Sequence, residues 1–408
     1  MLIYNIKGLV TAQEGKKILT GAEMASLQVL ENAWLLTEAG KIVGYGLMES
    51  CPDINVNSYD ARGRYVLPSW CDSHTHIVFA GSRELEFIDK IKGIPYEEIA
   101  KRGGGILHSA KLLAETDESQ LYDSALERIE EVINCGTGAL EIKSGYGLSV
   151  GAELKMLRVI RKLKENVPVP VRATFLGAHT FPTEYKSDRE GYIQLIINSM
   201  LPEIADNGLA DYIDAFCEKV AFSAEETNRI IEAGSRYGLK AKIHSNQFHS
   251  IGGIDVCVKH KALSVDHLEV LNDDEIKALQ NSSTIATLLP TAPFFINDPN
   301  FPPARKLINA NVPIALASDF NPGSSPGGNM NFVVSLACIK LRMTPEEAIN
   351  AATINGAAAM ELADQYGSIE RGKVANLFVT RKMPSLSYLP YRFSANQIEK
   401  VMLNGKWH

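Results

Sequence analysis

A chain of 408 residues that is 45% hydrophobic and 22% charged is long enough for a large barrel or two smaller domains around a sizeable core. Its net charge of −7, with basic residues scattered rather than grouped, excludes nucleic acid and anionic membrane as bulk partners. Six cysteines far apart in the chain read as reduced thiols, no apolar run reaches the roughly 18 residues that span a bilayer, and the start lacks the pattern of a signal peptide, so a cytoplasmic protein is expected.

The first 65 residues read as strands, with short apolar runs at Ala33–Leu36 and Lys41–Gly46 separated by turn residues such as Glu38-Ala39-Gly40. The carboxyl end reads the same way at Val374–Thr380 and Ile398–Leu403, the latter closing on Asn404-Gly405, a strong hairpin signal. Residues 1–65 and 367–408 are therefore expected to pair into one small β-sandwich.

Between them, apolar β-branched runs alternate with helical patterns. One run ends at His74 and His76, and others lie at Ala139–Ile142, Val171–Leu176, Tyr212–Phe216, Ala241–Ile243, Leu263–Val265, Thr284–Leu289 and Pro313–Ala317, which makes eight. Ser223-x-x-Glu226 and Thr344-Pro345-Glu346-Glu347 are capping boxes, and Leu121, Ala125, Ile129 and Ile133 repeat along one helical face before Gly136. Eight strands alternating with helices predict an α/β fold, a (β/α)8 TIM-like barrel over residues 66–366.

His74-Thr75-His76 would be a bland motif in isolation. In an extended strand, however, side chains two apart share a face, so both imidazoles can converge on one point. The other strands end on Lys143, His179, His244, Asp266-His267 and Asp319, so five of the nine histidines stand at strand tips, where barrel enzymes place their chemistry. His74, His76, His244 and Asp319 make three nitrogens and one oxygen, a set suited to zinc or a similar ion with an open position for water. Such an ion lowers the pKa of that water, and Asp319 can take its proton and pass it to a leaving group. His267 is left to orient or polarise the attacked oxygen; a fifth ligand is the competing reading.

Pro68-x-x-x-Asp72-Ser73-His74-Thr75-His76, followed by His244, His267 and Asp319, resembles the amidohydrolase superfamily in its single-metal form. The stretches Gly81-Ser82-Arg83-Glu84, Lys143-Ser144-Gly145-Tyr146-Gly147-Leu148, Leu176-Gly177-Ala178-His179 and Asp319-Phe320-Asn321-Pro322-Gly323-Ser324-Ser325 are similar to its members that open an imidazolone ring. The resemblance implies hydrolysis of 4-imidazolone-5-propanoate to N-formimidoyl-L-glutamate in histidine degradation, with one zinc or iron ion and a homodimeric assembly. A deaminase of a purine, pyrimidine or related heterocycle is the alternative. Related deaminases carry Glu three residues after the strand-five histidine; here Gln247 stands there, and an amide cannot relay protons.

The remaining candidates follow from a small substrate with a carboxylate tail. Arg83 offers a planar fork for that acid, although Glu84 and Glu86 are nearby and an ordinary ion pair is the competing reading. Tyr96 and Tyr146 can donate a hydroxyl or stack on a flat ring, with surface packing the even alternative for Tyr96. His179 and Gln247 can bond ring atoms. Asn321, Gly323 and Ser324 form a turn whose backbone N–H groups can receive the amide oxygen or the carboxylate.

Overall fold

Burial runs unbroken through Thr137–Lys143 and Tyr212–Cys217, as it must in strands of a parallel sheet covered on both faces. The computed structural model describes residues 1–13, 15–94, 98 and 104–408, so Tyr96 lies outside the described residues. In chain order its strands are β1 (Leu2–Thr11), β2 (Gln28–Glu38), β3 (Lys41–Leu47), β4 (Ser58–Asp60) and β5 (Tyr65–Pro68). The barrel follows as β6 (Trp70–Thr75), β7 (Thr137–Lys143), β8 (Val171–Ala178), β9 (Tyr212–Cys217), β10 (Lys240–Ser245), β11 (Ser264–His267), β12 (Ile285–Leu288) and β13 (Ile314–Leu316). The chain ends in β14 (Leu377–Thr380), β15 (Ile398–Leu403) and β16 (Lys406–Trp407).

The eight strands β6 to β13 lie side by side in sequence order, each parallel to the next, with helices between them. This is the expected (β/α)8 barrel. Its closure between first and last strands is made by main-chain contacts just beyond β13 and by one buried side chain. Thr75 bridges Phe320, the His76 N–H donates to the Phe320 carbonyl (2.9 Å), and the Asp319 N–H donates to the His74 carbonyl (3.0 Å). Beneath them the buried Asp72 carboxylate accepts both the N–H (3.0 Å) and the hydroxyl (2.6 Å) of Ser318. The expected helix signals form: Ser223/Glu226 and Thr344/Glu347 are complete capping boxes, and Leu121, Ala125, Ile129 and Ile133 are the buried face of Glu118–Asn134.

Both chain ends meet in a second, mixed sheet of order β16-β15-β14-β5-β1-β2-β3, with β4 paired to β1. It curls so that the Ile42 N–H donates to the Lys373 carbonyl, and it encloses a core of Ile3, Ile6, Leu35, Val66, Leu377 and Val379. Asn404 and Gly405, both at positive φ, make the two-residue turn that joins β15 to β16. Tyr65–Pro68 belongs to this sheet, so the chain passes into the barrel across Ser69.

One side chain ties the amino-terminal arm to the barrel floor. Fully buried Asn355 donates to the Leu19 (2.9 Å) and Ile314 (2.8 Å) carbonyls and accepts the Leu19 N–H (2.8 Å). Asn355→Ala leaves those buried backbone groups unpaired, at about 1–3 kcal/mol each where no water replaces them. A loss of about 2–4 kcal/mol in urea unfolding is the expected outcome.

Candidate active site

The inward positions of β6 alternate, as a strand requires, and carry Asp72, His74 and then His76 just past its end. His74 Nε2 lies 3.3 Å from His76 Nε2, and Asp319 Oδ1 lies 3.5 and 3.6 Å from the two. His244, at the tip of β10, closes the group, with its ring 4.4 Å from that of His74. Donor atoms of His74, His76 and His244 all lie within 4.8 Å of one another, as do those of His74, His267 and Asp319.

Two fully buried carboxylates set the tautomers. Asp266 Oδ2 accepts His74 Nδ1 at 2.6 Å, and Asp214 Oδ2 accepts His244 Nδ1 at 2.8 Å, so each ring turns a bare Nε2 lone pair inward. Burial holds all three imidazoles well below their usual pKa, and Lys143 adds to the effect on His74 and His244. They are neutral and basic at one point in space. The spacing fits a metal ion, because two donors at about 2.1 Å in a tetrahedral shell stand roughly 3.4 Å apart.

The carboxylates are held in turn by Lys143, fully buried at the end of β7, with Nζ at 2.9 Å from Asp214, 3.5 Å from Asp266 and 2.6 Å from Glu141. Lys242 contacts the other oxygen of Glu141 at 2.6 Å. Desolvation works against the Lys143 charge, but the three carboxylates outweigh it and hold its pKa above the usual lysine value. Sequence reading stopped at Lys143 as a strand end and missed Glu141, Asp214 and Lys242. The signal was present: charges at alternate positions of otherwise apolar strands (Glu141 and Lys143, Lys242 and His244) must point into the barrel.

Above the cluster opens a cavity of about 420 Å³ whose lining includes His76, Tyr146, His179, His244 and Gln247. His179 stacks on His76 (5.6 Å, 15°), places Nδ1 3.0 Å from the Gly145 carbonyl, and is pushed down by burial to a pKa of about 4. The Tyr146 ring stands 5.9 Å from His76. His267 and Asp319 complete the inner wall, both at positive φ (88° and 54°), strained backbone of the kind that collects at working sites. His267 Nδ1 meets Glu269 at 3.3 Å; burial lowers its pKa, but Glu269 and Asp319 reverse the sign and raise it. Burial lifts Asp319 to about 6.

Arg83, Asn321, Gly323 and Ser324 line the outer wall. The Gly323 and Ser324 N–H groups donate to Asn321 Oδ1 at 2.7 and 2.8 Å, within the turn. What the turn presents is the Ser324 hydroxyl, 3.1 Å from Asp319 Oδ2, and a flat surface at Gly323. A Cβ there would fall 2.1 Å from Arg83 Nη1, so only glycine lets the guanidinium lie against the turn. Arg83 does pair with Glu86, through Nε (2.9 Å) and Nη2 (2.6 Å), but the pair is buried rather than exposed, and Glu86 also accepts the Gly105 N–H at 2.9 Å. Lys90, on the same wall, was not anticipated.

Residues 65–408 match the amidohydrolase family. The imidazolonepropionase of Christiangramia forsetii is 55% identical over 408 residues, covering 100% of this chain and 99% of its own. That of Flavobacterium johnsoniae is 56% identical over 407 residues, covering 99% of each. Among solved structures, triazine hydrolase from Arthrobacter aurescens has a TM-score of 0.73 at 15% identity, covering 100% of this chain and 94% of its own. An adenosine deaminase from Xanthomonas campestris with bound zinc has a TM-score of 0.71 at 17% identity, covering 100% and 92%. The solved structures share the fold.

Removing Lys143 would leave Glu141, Asp214 and Asp266 buried around a missing cation. Lys143→Met is expected to lower unfolding stability by about 3–5 kcal/mol, and adding Glu141→Gln should restore part of it, both read from denaturant midpoints.

Proposed function

We infer the activity from the premise that this chain belongs to the amidohydrolase family and, within it, to the imidazolonepropionases. It is a hydrolase of a cyclic amide C–N bond: it opens 4-imidazolone-5-propanoate to N-formimidoyl-L-glutamate. The observation that carries the reading is one cavity joining a convergent histidine–carboxylate cluster to a buried arginine, which matches a ring amide bearing an acid tail.

Residue roles follow from the geometry and are part of the proposal. His74, His76, His244 and Asp319 would hold one divalent ion, zinc or iron, which supplies a Lewis acid for the carbonyl and lowers the pKa of a water. His267, kept protonated more readily by Glu269, donates a hydrogen bond to the carbonyl oxygen as charge develops there. Asp319, steadied by Ser324, takes the proton of the attacking water and delivers it to the departing ring nitrogen. A carbon–oxygen bond forms at the carbonyl, the ring carbon–nitrogen bond breaks, and no ammonia is released. His179, with Nδ1 turned to the Gly145 carbonyl, keeps an Nε2 acceptor for a ring N–H. Gln247 lines the cavity as a neutral donor and acceptor and offers no proton relay, which sets the chain apart from a deaminase. Tyr146 packs beside the ring, and Arg83 receives the propanoate. We place this activity in histidine degradation, in a cytoplasmic homodimer; no helix among the described residues is long and apolar enough to cross a membrane.

Incubating metal-loaded protein with imidazolonepropionate should abolish the ring's ultraviolet absorption without producing ammonia. Persistence of the absorption, or stoichiometric ammonia, would falsify the assignment. Asp319→Ala and His267→Ala are expected to keep the fold by circular dichroism and lose roughly 100- to 10,000-fold in kcat. Arg83→Gln should act mainly on KM, raising it by roughly 10- to 100-fold, and an unchanged KM would return Arg83 to a structural role.

A further inference from the structure

Helix α1 (Glu84–Ile91) starts immediately after Arg83 and brings Lys90, in its last turn, back to the same cavity wall. Lys90 Nζ donates to the Gly323 carbonyl at 2.6 Å, and the Phe295 ring lies 5.5 Å from that ammonium. The carbonyl it holds belongs to the glycine that backs the Arg83 guanidinium, so both cations grip one turn. An ammonium has three donors, and this contact uses one.

The charge balance on this wall gives Lys90 its importance. Arg83 directs Nε and Nη2 at a single oxygen of Glu86, so the pair together carries little net charge. Among the described residues Lys90 forms no ion pair of its own, and its charge is the uncompensated one. Burial, reinforced by Arg83 and only partly offset by Glu86, pushes its pKa down to about 8. A carboxylate entering the cavity would supply that counter-ion.

We propose that Lys90 is a specificity-determining residue that shares the substrate's acid tail with Arg83, the arginine as a planar fork and the lysine as a point charge. The proposal rests on the activity inferred above. Ring chemistry at the histidine cluster would be unaffected by it. The tail would lie against the Gly323 turn, and the reading extends to any ligand that combines a planar ring with a carboxylate.

The test uses metal-loaded enzyme, Lys90→Met and Lys90→Arg, with imidazolonepropionate, with an imidazolone lacking the propanoate, and with the product in calorimetric titration. Lys90→Met should raise KM for imidazolonepropionate and weaken N-formimidoyl-L-glutamate binding, each about 10-fold or more, with kcat within about 2-fold. Lys90→Arg should recover most of both, and kcat/KM for the tail-less ring should not change. An unmoved KM and product affinity in Lys90→Met overturns the proposal. So does an equal loss on the tail-less compound, which would mean that Lys90 acts by holding the turn. Wild-type turnover keeps the two readings apart: its absence removes the activity and this role with it, whereas turnover with an indifferent Lys90→Met removes the role alone.

Discussion

One buried ammonium, that of Lys143, sets the terms for the rest of the site. It meets the same two carboxylate oxygens, Asp214 Oδ2 and Asp266 Oδ2, that accept His244 and His74. Without a cation between them, two anions in a dry barrel would repel and draw protons from solvent or from the imidazoles. With it, both remain acceptors, both rings keep Nδ1 protonated, and both Nε2 lone pairs point inward. The site's donor geometry is therefore a product of the barrel's charged interior, on which the histidines lean through Asp214 and Asp266.

That interior is balanced rather than neutral. Glu141, Asp214 and Asp266 oppose Lys143 and Lys242, three formal negative charges against two positive, which leaves one negative charge beneath three neutral histidines. A cation placed among the histidines would thus meet a complementary field as well as lone pairs. On the outer wall Lys90 stands beside the Arg83–Glu86 pair, with Asp298 also on the lining. In the proposed reaction the electrophilic ring would meet the histidine cluster and the acid tail would meet Lys90 and Arg83.

Much of this was legible from the chain. The eight strands fell where β-branched apolar runs predicted, and the residues at their tips were those that the structure gathers, because a parallel barrel sends all strand ends to one face. What stayed hidden depended on pairing across the barrel. Asp214 lies inside Tyr-Ile-Asp-Ala-Phe, and nothing local says that it faces His244, which arrives 30 residues later. Nor does a Gly-Ser turn announce that Asn321 will take its N–H groups. Lys90 was missed because helical spacing alone reads it as a solvated lysine, and only the return of the Gly323 loop encloses it.

The seam between Asp72 and Ser318 joins residues 246 positions apart in sequence. A contact that distant carries a loop-closure entropy that the closed barrel must offset. The same seam sets Asp319 beside His74, so closing the barrel and assembling the cluster are one structural event. His74 and His76 lie early in the chain and Asp319 late, so the cluster depends on a contact between distant parts of the sequence. A chain cut before Ser318 would hold His74 and His76 without the Asp319 carboxylate beside them.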